Sequence, residues 1–439
     1  MHQPAACLAL AALLTALASP IAEDARADAI DRTIELGELT ITPRVNVRLR
    51  SEHRDNLSLD QTADDERWRL LLRTGLGASL RFHWLELLVD ITDGRELAHE
   101  ATNAEAPHDF TQLYLALHAP GGVPLTLKVG RQAMKIGSER LISTSSWSNK
   151  QRAWDAVRLD ADLARFQLTA LVGNEVKIDT SGLDHGDFGE TLWGLFTQME
   201  VSKRTAAELY VFGLYKTANL DPESPIRGED GAKGDEHRIT PGLRAHGEIE
   251  SPAIDWEFEF AFQIGSRASD DINAFALSGG LGWTMPLPYA PRLGVEVNYA
   301  SGDHDPEDGI AQTFQPLYGT THGPYGISDL FRWQNMVELS PSLDIALHPA
   351  FELRFEHHTY WLAETADDWV NSSGKVLREG LAAASRYAGQ EVSIIATWSP
   401  HELFEIEGGL SHFMPGKFMR QTGDVKSATF GYLSGAFKF

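Results

Sequence analysis

Apolar and polar side chains alternate along many segments of this chain, each about ten residues long. One face of the segment 256–264 carries Trp256, Phe258, Phe260, Phe262 and Ile264, and the other carries Glu257, Glu259 and Gln263. Successive side chains of a β-strand point to opposite faces, so this segment predicts a strand with one apolar and one polar face. The segments 44–50, 292–299 and 351–356 repeat the pattern. It is typical of a wall with hydrocarbon on one side and water on the other.

Eighteen segments between residues 39 and 439 carry strand-like patterns. They are 39–50, 67–80, 82–92, 110–118, 125–133, 152–160, 164–173, 191–201, 206–216, 237–249, 255–266, 274–284, 291–301, 332–340, 349–361, 388–398, 402–412 and 428–439. Single-chain bacterial barrels use an even number of strands. The pattern therefore predicts an all-β fold, a transmembrane antiparallel β-barrel of about 18 strands.

The connections between these segments alternate in length. Short ones are 119–124, 161–163, 251–253 and 399–401, and long ones are 51–66, 93–109, 134–151, 174–190, 217–236, 302–331 and 362–387. The connection 267–273 is short where a long one is expected. The alternation predicts short periplasmic turns, long extracellular loops and both termini on the periplasmic side. Two soluble domains would fit the length but not this parity, so we expect one barrel domain, 28–439.

The first residues predict an export signal. The apolar run from Ala5 to Ala18 is about 14 residues long, too short for a spanning helix and suited to a signal-peptide core. Ala25-Arg26-Ala27 provides a small-x-small cleavage site, although His2 is the only positive group before the core. We therefore predict a signal peptide at 1–27 and localisation in the outer membrane of a Gram-negative bacterium. The only cysteine, Cys7, would leave with this peptide, so no disulfide is expected.

The last strand and the tryptophans predict two partners, which are the barrel-assembly machinery and the lipid of the outer membrane. Leu433, Phe437 and Phe439 share one face of the terminal segment, and outer-membrane barrels commonly end on such a phenylalanine, which the barrel-assembly machinery reads. Tryptophans near predicted strand ends favour the lipid–water interfaces. They are Trp68, Trp84, Trp193, Trp256, Trp283, Trp333, Trp361 and Trp398.

The formal net charge of −24 argues against nucleic acid as a partner. Part of the acidity lies in the segment 303–308, whose oxygens are suitable ligands for Ca²⁺. That segment lacks a recognised calcium-loop motif, so a solvated surface loop is the favoured interpretation. We predict neither a metal site nor a cofactor.

Basic residues gather on the polar faces of the first strands. If Val45, Val47 and Leu49 face lipid, the arginines of that strand face the lumen. The predicted lumen set is Arg44, Arg48, Arg50, Arg67, Arg69, Arg73, Lys128, Arg152 and Arg158. Guanidinium groups stay charged and bind carboxylates in a forked geometry, so such a wall suits an anionic solute. The alternative is that they pair with lumen acids, namely Glu86, Asp90, Asp160, Glu257, Glu259, Glu296, Glu352 and Glu356, as in a porin constriction.

Several segments together resemble the bacterial alginate export (AlgE-like) family. They are Gly130-Arg131-Gln132, 137–143, 152–159, 298–303, 387–391 and 411–418. The resemblance implies an eighteen-stranded barrel with an arginine-rich pore for an anionic uronate polysaccharide. It also implies that Arg131, Arg152 and Arg158 are pore arginines and that Asp155 is an acidic partner. Alternation by itself places Arg131 on the face of Leu127 and Val129.

These observations favour a channel that passively exports an anionic, alginate-like polysaccharide. An uptake porin for small organic anions or other nutrients is the first alternative. An outer-membrane enzyme is a weaker one, because the sequence contains neither a nucleophile elbow nor an HExxH motif, and we expect no catalysis.

Overall fold

The computed structural model describes residues 33–59, 65–97, 106–179, 182–218 and 226–439. The predicted signal peptide, 1–27, lies outside the described residues, as do the first residues of the predicted barrel domain, 28–32. Among the described residues, no helix has both the length and the apolar character that crossing a membrane requires.

Eighteen long strands of the described chain form the wall of the molecule. They are β1 Leu39–Asp55, β2 Arg67–Phe82, β3 Leu85–Glu96, β4 Ala106–His118, β5 Leu125–Gln132, β6 Trp154–Leu163, β7 Phe166–Lys177, β8 Glu190–Ser202, β9 Thr205–Lys216, β10 Glu236–Ile249, β11 Ile254–Arg267, β12 Asp270–Thr284, β13 Arg292–Ala300, β14 Met336–His348, β15 Phe351–Trp361, β16 Tyr387–His401, β17 Phe404–Pro415 and β18 Ala428–Lys438. Two- and three-residue strands lie at Ile34–Leu36, His185–Gly186, Ile310–Ala311, Trp369–Val370 and Val376–Arg378, and one helix among the described residues, α1, spans Lys417–Thr422.

Each long strand pairs antiparallel with its neighbours in the chain, and β1 pairs with β18 from Asn46↔Lys438 to Asp55↔Thr429. That last pairing closes the sheet, so each of these strands has two neighbours and the wall has no free edge. The predicted all-β fold, a closed antiparallel barrel of 18 strands, is therefore confirmed.

The outer face of the barrel is apolar. Leu76, Leu195, Leu209, Leu281 and Leu410 are more than half exposed and alternate with inward polar residues, as a lipid-facing wall requires. Of the predicted interface tryptophans, Trp68, Trp84, Trp193 and Trp283 are 38–55% exposed. The prediction for Trp333 is wrong, because this ring is fully buried in a loop that enters the lumen.

Most strand boundaries differ from prediction by a few residues, and β14 differs most. The predicted segment is 332–340 and stops before Pro341, a residue that lacks the N–H of a regular ladder. The strand instead begins at Met336 and continues to His348. Its pairing with β15 is interrupted between Leu339↔Thr359 and Ser342↔Glu356, so Pro341 occupies a place where the ladder has a gap.

Two long loops fold into the lumen and create the core there. Loop 133–153, between β5 and β6, buries Met134 and Ile142, and loop 301–335, between β13 and β14, buries Phe314 and Phe331. These side chains pack together with inward residues of the wall in one cluster. The lumen is consequently narrowed by protein, and what remains open lies between these loops and the wall.

Candidate pore

The first two strands place their arginines on the inner face, as alternation predicts. Arg48 lies opposite Arg73 in the ladder, and Glu52 lies opposite Arg69. Outward residues of the same strands include Trp68 and Leu76, which are 48% and 62% exposed. Arg48, Arg50 and Arg73 are instead buried, at 7%, 2% and 7% exposure.

These three buried arginines hold loop 133–153 by its backbone. Arg48 donates to the carbonyl oxygens of residues 146, 147 and 148 at 3.0, 2.9 and 3.1 Å. Arg50 donates to the carbonyl of residue 147 at 2.6 Å, and Arg73 donates to those of residues 146 and 148 at 3.0 and 3.1 Å. Carbonyl dipoles thus surround guanidinium groups that would otherwise repel one another. These donors are used inside the protein and are not free for a solute.

Trp147, at the tip of this loop, lies between two cationic or ionisable groups. The guanidinium carbon of Arg50 is 3.6 Å from the centre of the indole ring. On the ring stacks the imidazole of His322, with centroids 3.6 Å apart and planes 8° apart. His322 also hydrogen-bonds Asp329 at 3.1 Å. Through this stack, loop 133–153 is fixed to loop 301–335 in the middle of the lumen.

A second contact between the two loops uses Arg140. Its guanidinium donates to the Tyr325 hydroxyl at 3.1 Å and to Glu296 on β13 at 2.8 Å. The main-chain N–H of Ile327 donates to Glu391 on β16 at 2.9 Å, which fastens loop 301–335 to the wall. Both loops therefore have charged anchors on the barrel itself.

The remaining arginines of β1 and β2 are more accessible and mostly paired. The Arg44 side chain is 44% exposed and lies 3.1 Å from Asp90. Arg69 makes a forked contact with Glu96, at 2.9 and 2.8 Å, and Arg67 is exposed near the extracellular end of β2. The alternative considered above, that lumen arginines pair with lumen acids, describes Arg44 and Arg69.

The predicted basic residues of β5 and β6 also face inward. Lys128 and Arg158 lie opposite each other and share Asp160, at 3.1 and 2.7 Å. Arg152 lies just before β6 and donates to Glu175 at 2.8 Å and to the carbonyl of Tyr318 at 2.6 Å. Arg152 therefore braces loop 301–335 while it lines the lumen.

Arg131 and Asp155 differ from what the resemblance implies. They lie opposite each other on the outward face, where Arg131 also lies opposite Leu113, which is 40% exposed. Arg131 forks onto Asp155 at 2.9 and 3.1 Å and donates to the carbonyl of Asp184 at 2.8 Å. Side chains alternate strictly along β5 and β6, so both residues face outward. They lie beside the extracellular rim rather than in the lumen.

An open cavity follows the basic wall. Its lower part, about 320 Å³, lies between loop 133–153 and β1 to β4 and is lined by Arg44, Arg73, Arg152, Lys438 and one acidic side chain, Asp90. An upper cavity of about 180 Å³ reaches the extracellular residues Ile178 and Asp184. The two adjoin, because both are lined by Thr111, Gln151 and Arg152. We call this route the basic groove.

The opposite wall carries carboxylates that are partly paired with arginine. Arg244 contacts Glu208 and Glu257 at 2.8 and 3.1 Å, and Arg354 donates to Asp344 at 2.5 Å. A basic wall on β1–β6 thus faces a mixed, more acidic wall on β9–β17. Such a lumen has a transverse field, and a charged solute near the basic wall experiences its positive side.

The acidic segment 303–308 is part of the extracellular surface. Asp303 accepts from the main-chain N–H of Asp305 and of Gln312, both at 3.2 Å. Asp367 accepts from the N–H of Asp303 at 3.0 Å, and its burial and the Asp303 charge raise the pKa of its carboxyl. In the part of the chain that the structure describes, no three His, Cys, Asp or Glu side chains gather as metal ligands.

Sequence reasoning missed the residues that shape the pore from the loops. Arg140 lies in a segment that carries the family resemblance, but nothing marks it as a link between two loops. Trp147 stands in a Ser-rich stretch, Ser145-Ser146-Trp147-Ser148, and a lone aromatic residue among serines in a long loop is the one available signal.

The family model for alginate export matches residues 38–432 of this chain. No curated protein matches it significantly. Among solved structures, Pseudomonas aeruginosa OpdO superimposes with a TM-score of 0.60 at 11% identity, covering 91% of this chain and 97% of that one. The outer membrane protein OprD of the same organism gives 0.59 at 10% identity, with 91% and 93% covered. OpdK crystallised with vanillate gives 0.60 at 9% identity, with 90% and 98% covered.

The structural relatives share the fold of outer-membrane barrels, and the family match covers nearly all of the described barrel. The family that matches is an export family, and OprD is described as an outer membrane protein. The localisation predicted from the strand pattern and the family resemblance are both confirmed. The chain belongs to the alginate export family and is an outer-membrane channel.

Proposed function

We propose that this channel is a passive diffusion route for small organic anions, with uronates and short oligouronates among them, and that they pass along the basic groove. The observation that carries the proposal is the narrowing by loop 133–153, which three buried arginines hold in place. Cavities of about 180 and 320 Å³ suit a small molecule rather than a thick polymer. The structural relative OpdK was crystallised with vanillate, itself a small carboxylate.

The charge of the basic groove supports an anionic solute. Four cationic side chains and one acidic side chain line its lower part. Arg44 and Lys438 are the most accessible of these cations, since their side chains are 44% and 59% exposed. An exposed cation in high dielectric attracts an anion weakly, so a solute that binds there also leaves, as conduction requires.

Export of an anionic polysaccharide is the second candidate, and the family match favours it. A polymer strand would require loop 133–153 to leave the lumen. That movement breaks the hydrogen bonds from Arg48, Arg50 and Arg73 and the Trp147 stack. The two candidates therefore differ in whether the loop stays in place while solute passes.

Planar-bilayer recordings of the refolded protein test the proposal. We expect anion selectivity in a KCl gradient and block by galacturonate and its short oligomers, but not by neutral oligosaccharides of equal length. In the double variant Arg44→Glu, Lys438→Glu the selectivity should invert and the block should weaken about tenfold, roughly the effect of losing 1.4 kcal/mol of binding.

The matched control is Lys203→Glu, Arg204→Glu, which reverses two charges at exposed positions of a periplasmic turn outside the basic groove. It should conduct like the wild type. Cation selectivity of the wild-type channel would contradict the proposal. A second test uses a variant in which loop 133–153 is cross-linked to β1. If long polyuronate chains still enter this channel, the polymer does not require the loop to leave the lumen, which would contradict the difference between the two candidates.

A further inference from the structure

A short segment between β7 and β8, residues 182–189, lies against the outward side of the wall. Its two-residue strand, His185–Gly186, pairs with the end of β7. A Cβ added at Gly186 would lie 3.2 Å from Asp155 Oδ2 and 3.6 Å from the Cβ of Asn174. Asp155 faces outward, and Asn174 lies opposite it in the ladder and shares that face. We call this element the rim segment.

The rim segment is fastened to the barrel at Asp184. Arg131, on the outward face of β5, donates to its carbonyl at 2.8 Å, and Lys150 forms an ion pair with its carboxylate. The Asp109 carboxylate accepts from its main-chain N–H. Asp109 and Asp184 are 4% and 6% exposed, so water does not compete for these contacts. Hydrogen bonds with a charged partner are the stronger kind, so the rim segment is held in one orientation.

Two apolar side chains of the rim segment have no protein cover. Leu183 is 70% exposed and Phe188 is 79% exposed. Among the described residues, no other large apolar side chain reaches these values, and Leu209 on the lipid-facing wall has 63%. Exposure of this size is unfavourable in water, because the free energy rises with the apolar area in contact with it. On the wall of the barrel, lipid covers such side chains.

The rim segment lies at the height of the lipid boundary. Val157, Val172 and Trp193 form one outward row across β6, β7 and β8, and they are 38–47% exposed. Tryptophan on the outer face of a barrel favours the lipid–water interface. Asp155, beside which the rim segment lies, is two residues further along β6 towards the extracellular side, a distance of about 7 Å. The rim segment therefore continues the lipid-facing surface at the level of the lipid headgroups.

The charge of the rim segment is distributed as in an element that lies on a membrane surface. The Asp184 carboxylate is turned towards Lys150 of the barrel, whereas Leu183 and Phe188 are turned away from protein. A polar side held by protein and an apolar side left open suit the boundary between headgroups and acyl chains. A second copy of this chain would be another cover, but lipid already surrounds the outward row directly below.

We propose that the rim segment is a membrane-docking element, which inserts Leu183 and Phe188 between the lipids of the outer leaflet. Arg131 is its positioning residue, since it joins the rim segment to the wall. This gives the outward-facing pair of Arg131 and Asp155 a role apart from the pore. The docking does not depend on which solute passes along the basic groove.

Fluorescence from single labelled cysteines tests the docking. The sequence contains one cysteine, Cys7, within the predicted signal peptide, so the chain 28–439 supplies no competing thiol. Leu183→Cys and Phe188→Cys, each labelled with the fluorophore NBD, are refolded into phosphatidylcholine vesicles with or without a lipid that carries a nitroxide near its headgroup. Interfacial apolar groups lie about 5–10 Å deep, so the nitroxide should lower the fluorescence of both labels about twofold.

Two further labels calibrate this measurement. Leu195→Cys, 56% exposed on the lipid-facing wall, should be quenched as well, whereas Glu307→Cys, at an exposed position of the extracellular surface, should not. Labels at 183 and 188 that are as accessible to aqueous iodide as the label at 307 would overturn the proposal. Labels shielded from iodide but not quenched by the nitroxide lipid would show that protein, such as a second copy, covers the rim segment, and would overturn it too.

Arg131→Gln tests the positioning role. Glutamine is shorter and uncharged, so the rim segment loses its donor at the Asp184 carbonyl, and the label at 183 should lose most of its quenching. The matched control, Arg95→Gln, removes an arginine that pairs with Asp93 on its own strand at 2.7 Å and should leave the quenching unchanged. Full quenching at 183 in Arg131→Gln would contradict the role of Arg131. Heat-modifiable migration on gels confirms that each variant is a closed barrel, so loss of fold is not mistaken for loss of docking.

Discussion

The charged side chains of this lumen mainly hold the two long loops in place. Arg48, Arg50 and Arg73 donate to main-chain carbonyls, and Arg152 does so as well. A hydrogen bond from a charged donor stabilises more than a neutral one, and removing such a partner leaves buried acceptors without donors. Positive charge on the inner wall therefore fixes the shape of the pore before it acts on a solute.

Replacing Trp147 by alanine should open the lumen. The substitution removes the cation–π contact with Arg50 and the stack on His322, each worth about 1–2 kcal/mol when shielded from water. We expect a single-channel conductance at least twofold above that of the wild type, with larger fluctuations. Trp68→Ala, on the outer face, is the control and should leave conductance unchanged. Equal conductance of Trp147→Ala and wild type would show that the loop stays in place without its stack.

Alternation in the sequence predicted the direction of most lumen residues, because lipid on one side of the wall imposes it. It also placed Arg131 correctly on the outward face, against the role that the resemblance implies. The partners of these residues could not be predicted. Arg48 and Trp147 are 99 positions apart, and only the closed fold brings them together.

At the scale of strands and loops, β2 and β3 pack closely where they line the lower part of the basic groove. Gly75 and Gly77 both face the lumen there. A Cβ at Gly77 would overlap the Asp90 side chain and the Val89 carbonyl, whereas one at Gly75 would meet its nearest neighbour at an ordinary 3.4 Å. A Cβ therefore fits at position 75 without a clash but does not fit at position 77.

The pair Gly77→Ala and Gly75→Ala tests this difference. Overpacking against backbone typically costs about 1–3 kcal/mol, and Gly77→Ala also pushes Asp90 away from Arg44. We expect Gly77→Ala to lower the temperature at which the barrel loses its heat-modifiable gel migration, and Gly75→Ala to leave it unchanged. A lower transition temperature in both variants would mean that any side chain on this floor is disruptive.

Strands were predictable and loops were not, for a physical reason. A strand in lipid must alternate, and its pattern can be read locally. Loop 133–153 contains apolar residues such as Met134 and Ile142, which are buried in the lumen. The residues next to them in the sequence do not indicate which part of the fold they pack against. The boundary of β14 shows the same limit, since a gap in the ladder that tolerates Pro341 depends on β15.

For the whole molecule, acidity is concentrated on the extracellular side. Burial raises the pKa of Asp367, and burial with the nearby Asp303 and Asp270 charges also raises the pKa of Glu229. A carboxyl with a raised pKa in the folded state binds a proton that the unfolded chain releases above about pH 4. Folding of this surface is therefore favoured as the pH falls from neutral through that window.

Asp367→Asn should reproduce the protonated state at neutral pH. Limited proteolysis of the refolded protein should cut the extracellular loops more slowly in this variant than in wild type at pH 7, and the difference should narrow at pH 5. Asp424→Asn, at an exposed position before β18, serves as the control and should follow the wild type at both values. Faster cutting of Asp367→Asn at pH 7 would show that the ionised carboxylate stabilises the loops instead.

The position of Trp147 has a consequence for how the barrel holds its two ends together. Its ring contacts Arg50 on β1 at 3.6 Å and Tyr432 on β18 at 4.8 Å between centroids. These two strands form the seam at which the cylinder is closed, so the indole lies across that seam from within. The seam is therefore clamped by this indole as well as by its own ladder. Lateral parting of the barrel would have to begin by expelling this loop.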